Sequence, residues 1–181
     1  HPFSKLFEEE RELTVMLLVD ISRSTLFGTT HARKRDIVTE IGAVLSFAAV
    51  NNGDKIGVIF YSDIVEKYIP PKKGKQHALY IVRELLTMEP KGKGTAMQPA
   101  LRYFNNSTRQ KSIAFVLSDL VDAGYGDALR IASRKHDIIG IKLYDQMDQV
   151  LPNAGLLQVQ DAESGKTQWV DSGNAFVRHQ Y

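Results

Sequence analysis

An Asp-x-Ser-x-Ser run, Asp20-Ile21-Ser22-Arg23-Ser24, directly follows the apolar stretch Leu13-Thr14-Val15-Met16-Leu17-Leu18-Val19. Carboxylate, hydroxyl and water oxygens are the ligands that a hard divalent cation such as Mg2+ prefers. Serine hydroxyls also serve locally, satisfying turn backbones and capping helices. Two further segments carry the same chemistry. Ser118-Asp119 ends a second apolar stretch, and Gly92-Lys93-Gly94-Thr95 puts a hydroxyl on a basic, glycine-containing loop that opens a helix. In open α/β sheets, ligands bind just beyond the carboxyl ends of the strands. If such a sheet forms, Asp20, Ser22, Ser24, Thr95 and Asp119 bring two acids and three hydroxyls to one edge.

The elements that must position these groups follow from periodicity. The branched apolar run 13–19 reads as a strand buried on both faces. Residues 34–51 place Ile37, Ile41, Val44 and Ala48 at helical spacing, with Val38 and Leu45 beside them, and stop at Asn51-Asn52-Gly53-Asp54. Residues 55–61 read as a strand and 64–69 as its antiparallel partner, because the Ser62-Asp63 link is too short for a parallel crossover. Pro70-Pro71 is expected to end that partner. Helices are expected over 77–88 (Leu79, Val82, Leu85, Leu86 inward) and 95–104 (Met97, Ala100, Leu101, Phe104 inward), the second with Thr95 as a cap. A strand at 112–117, a helix at 125–135 with Ala128, Leu129 and Ala132 inward, and a strand at 138–143 come next. Short strands at 156–160 and 167–170 flank the turn Glu163-Ser164-Gly165-Lys166, and 172–181 reads as the opening of a last helix. This alternation predicts an α/β fold: a doubly wound, mostly parallel sheet with one antiparallel edge strand and helices on both faces.

The bulk numbers exclude several classes. The 181 residues fit one domain, and a formal net charge of +2 demands neither a nucleic acid nor an anionic membrane. There is no cysteine, hence no disulfide framework, thiol nucleophile or cysteine-based zinc site. No apolar run reaches the roughly 18 residues needed to span a bilayer, and no signal peptide is visible. The chain starts at His1, so it reads as a piece of a longer parent: a lead-in at 1–12, then one domain over 13–181, truncated in its last helix.

The order Asp-x-Ser-x-Ser, then a distant Thr, then a distant Asp resembles the metal-ion-dependent adhesion site of the von Willebrand factor type A domain. The resemblance runs from about Leu13 to the C-terminus. More specific words, Glu9-Glu10-Arg11-Glu12-Leu13-Thr14, Phe27-Gly28, Gly53-Asp54-Lys55-Ile56-Gly57-Val58-Ile59-Phe60 and Leu117-Ser118-Asp119, are similar to domain-of-unknown-function family 58. That bacterial and archaeal group carries a type A domain and is often encoded beside MoxR-type AAA+ ATPases. Thr25 stands where the group often has Met, at a position that is not a ligand.

The resemblance implies that Ser22 and Ser24 bind Mg2+ or Mn2+ directly, Thr95 does so in some states, and Asp20 and Asp119 act directly or through water. It further implies a protein partner whose Asp or Glu completes the shell, a MoxR-like ATPase among the candidates, and recognition rather than catalysis. No nucleic acid is expected. The implied location is cytoplasmic, with a tether to the membrane through parts of the parent outside this chain as an option.

Other readings are weaker on chemical grounds. A phosphohydrolase of the haloacid-dehalogenase kind needs a second carboxylate two residues after the first, and Ser22 stands there. Lys91-Gly92-Lys93-Gly94-Thr95 has the composition of a phosphate-binding loop but not its order. A structural domain with a degenerate site is the remaining alternative. Basic clusters (Arg33-Lys34-Arg35, Lys72-Lys73-Gly74-Lys75, Arg134-Lys135) read as solvated surface. Lys91, Lys93 and Arg23 flank the metal ligands and would steer an acidic partner. Asp122 and Asp127 are expected to cap or charge the next helix, Asp63 and Asp145 to serve turns, and Gly42 to permit close packing on the sheet. His77 and His136 are expected near helix ends, capping or solvated.

Overall fold

The computed structural model describes residues 12–22, 31–120, 122–143, 153–160 and 167–176. Strands β1 (Thr14–Asp20), β2 (Lys55–Tyr61), β3 (Val65–Lys72), β4 (Ile113–Ser118) and β5 (Asp137–Lys142) form one sheet in the order β3-β2-β1-β4-β5. β1 runs parallel to β2 and β4, β4 parallel to β5, and β3 is the antiparallel edge. Helices α1 (His31–Asn51), α2 (Lys75–Thr87), α3 (Met97–Ser107) and α4 (Gly126–Ser133) connect them. β6 (Leu156–Gln160) and β7 (Thr167–Asp171) form a separate two-stranded antiparallel sheet. The sheet, its one antiparallel strand and its helices on both faces agree with the expected fold class.

Alternation along β1 assigns the two faces. Val15, Leu17 and Val19 pack with Val38 and Ala49 of α1 and Ile81 and Leu85 of α2. Met16 and Leu18 pack with Met97, Ala100, Leu101 and Phe104 of α3 and Ala128 of α4. Residue 20 is in phase with Met16 and Leu18, so its side chain belongs to the α3 side. Because α2 and α3 lie on opposite faces, the segment between them has to cross an edge of the sheet. It does so at the carboxyl end, where the Ala96 N–H donates to the Ser62 carbonyl at 2.9 Å. At the opposite edge Asp54 fixes the start of β1 by accepting the Leu13 N–H at 2.9 Å.

Several sequence expectations change. β3 continues through Pro70 and Pro71 to Lys72, because an edge strand needs no amide donor on its outer side and the register shift between Ile56 and Val58 falls opposite this dipeptide. The inward stripe of α1 is Val38, Ile41, Gly42, Leu45 and Ala49, whereas Ile37 and Val44 are exposed. The helix is apolar around much of its circumference, and α2 decides which stripe is covered. A Cβ on Gly42 would stand 2.6 Å from Leu85 Cδ1. Gly42 therefore permits close packing against a helix, not against the sheet. In α2 the buried residues are Ala78, Ile81, Glu84 and Leu85, with Leu79 and Leu86 exposed. Thr95 does not cap α3, whose cap residue is Ala96. Asp145 and the second half of the expected last helix, 177–181, lie outside the described residues.

His136 is a core residue, not a solvated one. It is 1% exposed, packs at a tilt against Phe104 with centroids 4.4 Å apart, and its Nδ1 is 3.0 Å from Ser112 Oγ. Burial, with Lys135 adding to it, pushes the imidazole below its ordinary 6.5. The unfolded chain then takes up this proton at higher pH than the folded one, so the stability His136 contributes is full above about 6.5 and is lost as pH falls below it. His136→Gln should be about 1–2 kcal/mol less stable near neutrality, since a buried hydrogen-bonding arrangement is disturbed. It should also show a flatter decline of the unfolding midpoint below pH 6.5 than wild type. Parallel declines measured by thermal unfolding across pH would contradict this role.

Candidate metal centre

Asp20 is the last residue of the central strand and is 1% exposed. Its Oδ1 accepts the Ser22 N–H at 2.9 Å, and its Oδ2 accepts the Ser118 hydroxyl at 2.8 Å. The second bond joins residues 98 apart in sequence. It forms because Val19 pairs with Leu117 in register, so the next step places residues 20 and 118 side by side at the carboxyl ends of β1 and β4. Burial raises the Asp20 pKa, the bonds from Ser22 and Ser118 pull it back, and the Asp119 charge adds to the rise. Removal from water is the largest of these effects, so the carboxylate sits where a positive charge would be strongly favoured.

Asp119 follows Ser118 and is half-buried. The turn after it is unusual: Leu120 has φ 57°, the left-handed region that costs a non-glycine residue roughly 1 kcal/mol or more. The Leu120 N–H donates to Ser118 Oγ at 3.1 Å, which holds the turn in place. Ser118 thus orders both sides of the site. Backbone strain of this kind concentrates where the surrounding structure imposes it at functional positions.

Asp122 is not the cap of the following helix. Its Oδ2 accepts the Met97 N–H at 3.0 Å, at the start of α3, and its Oδ1 accepts the Gly124 N–H at 3.1 Å. The bond to Met97 ties the segment after Asp119 to the segment after Thr95. Thr95 itself is half-buried, one residue before the Ala96 that bonds Ser62. Asp20, Ser22, Thr95 and Asp119 therefore come from segments that meet at one sheet edge. Ser24 and Arg23 lie outside the described residues. Asp63, as expected, belongs to the turn between β2 and β3.

Tyr61 completes this edge, and sequence reasoning did not single it out. It pairs in register with Asp20 on the neighbouring strand and is fully buried. Burial, then the charge of Asp20, and further the charges of Asp119 and Asp122 push its phenol well above the usual 10.0, so it remains a neutral donor. The Ser118 hydroxyl partly offsets these effects, but its proton is already given to Asp20. The Tyr61 hydroxyl has no hydrogen-bond partner among the described residues. An orphaned buried hydroxyl costs about 1–3 kcal/mol. A water or an oxygen ligand placed among these acids would satisfy it. The signal was available in the sequence only as a tyrosine in phase with Asp20 at the end of the adjacent strand.

This donor set fits a hard divalent cation. Among the described residues no group of three or more His, Cys, Asp or Glu side chains is placed to hold a metal. A site here therefore depends on hydroxyls beside its acids. Oxygen-only donors of mixed charge suit Mg2+ or Mn2+ better than a thiolate- or imidazole-seeking ion.

The chain belongs to the family described as "Protein of unknown function DUF58", which matches residues 1–181. An uncharacterized protein of Mycobacterium tuberculosis (strain ATCC 25618 / H37Rv) is 29% identical over 168 residues, which cover 91% of this chain and 53% of that protein. The chain thus spans about half the length of the curated relatives it matches. An aerotolerance-related membrane protein from Bacteroides fragilis NCTC 9343 is similar in structure, with a TM-score of 0.63 and 19% identity over 91% of this chain and 84% of that one. Proximal thread matrix protein 1 of the mussel byssus, solved with a zinc-occupied metal-ion-dependent adhesion site motif, has a TM-score of 0.55 and 21% identity over 74% of this chain and 38% of that one. These likenesses show a von Willebrand factor A-like fold. Among the described residues no helix is long and apolar enough to cross a membrane.

Because burial raises the Asp20 pKa from its ordinary 3.8, the folded chain holds this proton to higher pH than the unfolded one. Asp20 is therefore best tolerated below that ordinary value, and the tolerance is lost as pH rises through the folded value. Asp20→Asn keeps the shape and an acceptor for Ser22 while removing the charge. In chelator at pH 8, Asp20→Asn is expected to unfold at the same temperature as wild type or higher, with the difference shrinking at acid pH. A large fall in its unfolding midpoint at pH 8 would show that the ionised carboxylate stabilises the metal-free fold.

Proposed function

We propose that this chain is a metal-dependent protein-interaction module. In this reading Asp20, Ser22, Ser24, Thr95 and Asp119 hold Mg2+ or Mn2+, and an Asp or Glu of a partner completes the coordination shell. The observation that carries it is a buried carboxylate, Asp20, anchored by Ser118 at the carboxyl edge of the sheet, beside a Tyr61 hydroxyl that has no hydrogen-bond partner among the described residues. A divalent cation bound there would supply one open coordination position for an acidic oxygen. The protein's part is to orient its oxygens. Ser22 and Ser118 fix the Asp20 carboxylate, the Ser118–Leu120 bond fixes the turn behind Asp119, and the Asp122–Met97 bond fixes the start of α3.

Neutral hydroxyls among the ligands leave the ion more of its charge than an all-carboxylate shell would, which favours an anionic partner group. Lys91 and Lys93 are exposed on the Thr95 loop, where positive charge accelerates the approach of an acidic surface. The mussel protein's occupied motif supports a metal site on this fold. A MoxR-like AAA+ ATPase is the partner suggested by the family resemblance, and the membrane protein among the structural neighbours is compatible with a tether supplied by other parts of the parent. Both extend the reading from fold-level analogy.

Thermal unfolding of the chelator-stripped protein, with Mg2+ and Mn2+ titrated in, tests the site directly. A ligand at 100 times its dissociation constant stabilises by about 2.7 kcal/mol. For a domain of this size that raises the midpoint by roughly 5–10 °C. The rise should begin near the dissociation constant, then grow with the logarithm of metal concentration in wild type, and vanish in Asp119→Ala. A flat response in both removes the metal from the function, and phosphoester turnover lost in Asp119→Ala would make the chain a hydrolase instead.

The lysines have an opposite effect on a bare ion. Changing Lys91 and Lys93 to Glu should raise the Mn2+ affinity of the free chain by about two- to fivefold at low salt, the scale of exposed charge interactions. Affinity that does not move would place both lysines outside the field of the site.

A further inference from the structure

The loop that carries Thr95 is stitched to the β2–β3 turn by one side chain. Glu66 Oε1 accepts the Lys91 N–H at 2.9 Å, the Gly92 N–H at 2.8 Å and the Ser62 hydroxyl at 2.7 Å. On the other side of Thr95 the Ala96 N–H donates to the Ser62 carbonyl at 2.9 Å. The loop is therefore tied down both before and after Thr95, and both ties lead to Ser62 or to the carboxylate that Ser62 bonds. Ser62 in turn follows Tyr61, the register partner of Asp20.

Gly92 is required by the closeness of this contact. A Cβ there would stand 2.1 Å from Ser62 Oγ and 1.9 Å from Asp63 Oδ1. Asp63 is exposed and its carboxylate can swing aside, but Ser62 is fully buried and committed to Glu66. Hydrogen bonds from backbone N–H groups to a carboxylate are among the strong ones in proteins. Here one carboxylate oxygen gathers two from the loop. Its own strand, β3, is anchored to the sheet by antiparallel pairing with β2.

We infer that Glu66 is a positioning residue of the metal centre: it holds the backbone of 91–92 on the β2–β3 turn and thereby sets the place of Thr95, without being a ligand itself. The inference rests on the metal-binding reading above. Groups that orient metal ligands without touching the ion typically change metal affinity by 10- to 100-fold when removed. A purely electrostatic role for Glu66 makes a different forecast from a positional one, because Gln keeps an acceptor oxygen for the loop amides and loses only the charge.

Mn2+ affinity is to be measured by the electron paramagnetic resonance signal of free Mn2+, at a temperature where every variant is folded, with Asp119→Ala alongside. Glu66→Ala should bind Mn2+ roughly 10- to 100-fold more weakly than wild type. Glu66→Gln should stay within about threefold of wild type, since neutral acceptors retain most of the geometry. Amide hydrogen exchange should quicken at 91–96 in the Ala variant while β1 and β4 stay protected. Gly92→Ala, which pushes the loop off Ser62 with Glu66 intact, should weaken binding like Glu66→Ala and serves as the test if that variant does not fold. Wild-type affinity in Glu66→Ala or in Gly92→Ala, with binding lost in Asp119→Ala, would overturn the positioning role alone. A Gln variant as weak as the Ala variant would also overturn it, in favour of charge. No Mn2+ binding by wild type would instead overturn the metal reading and take this inference with it.

Discussion

Asp20 is a carboxylate that the fold removes from water almost completely, and the arrangement of the site follows from that. Its position is fixed by the hydrophobic pattern: β1 is the central strand, apolar on both faces, and Asp20 is simply the next residue in phase with Met16 and Leu18. An isolated buried charge is strongly unfavourable unless it is bonded or neutralised. Ser22 and Ser118 supply one bond to each oxygen, and the pKa remains raised in spite of them. The protein carries an electrostatic debt at this point. The proposed cation is the group that would discharge it, and the Tyr61 hydroxyl beside it, without a hydrogen-bond partner among the described residues, would offer a donor to an oxygen ligand there.

The sheet order explains why distant segments meet at this carboxylate. From β1 the chain winds outward to β2 and β3, then returns to β4 on the other side of β1. The reversal makes the carboxyl ends of β1 and β4 a switch point, where connections diverge and leave a crevice. Asp20 and Asp119 border it. The return path adds the third segment, since α2 covers one face and α3 the other, so their connection has to pass over this edge. A loop in that position tends to be mobile unless its backbone finds acceptors. Ser62, Glu66 and Asp122 provide them.

What the sequence made legible was whatever depends on local pattern. Apolar runs ending in Asp20 and in Ser118-Asp119, the short Ser62-Asp63 link and the alternation of elements are enough to give a mostly parallel sheet with an antiparallel edge strand. The cross-element contacts were not legible. Glu66 and Asp122 act on backbone amides 25 or 26 residues away, and no periodicity encodes such a contact. Helix faces were partly misassigned for a related reason. Ile37, Val38, Ile41, Val44 and Leu45 cover so much of α1 that its own sequence does not choose a stripe, whereas the Leu85–Gly42 contact does. His136 looked like a helix-end residue by position, but only the packing against Phe104 reveals it as part of the core. Proline as a strand terminator holds inside a sheet and fails on its edge.

The charges around the site suggest why it would serve recognition rather than storage of an ion. Two acids and a set of hydroxyls give a cation a modest number of anionic ligands, while Lys91 and Lys93 are exposed on the adjoining loop. Lysines there oppose the binding of a bare cation and favour the arrival of a carboxylate. A cation and an acidic partner, each bound to this edge, would therefore each relieve a cost that the other meets alone. By thermodynamic linkage such a coupling would be reciprocal: metal would strengthen partner binding by the same factor by which partner would strengthen metal binding. In the proposed reading such a site would hold its ion loosely until the acid arrives, and the restraint that Glu66 places on the loop would limit the ordering entropy lost at that moment.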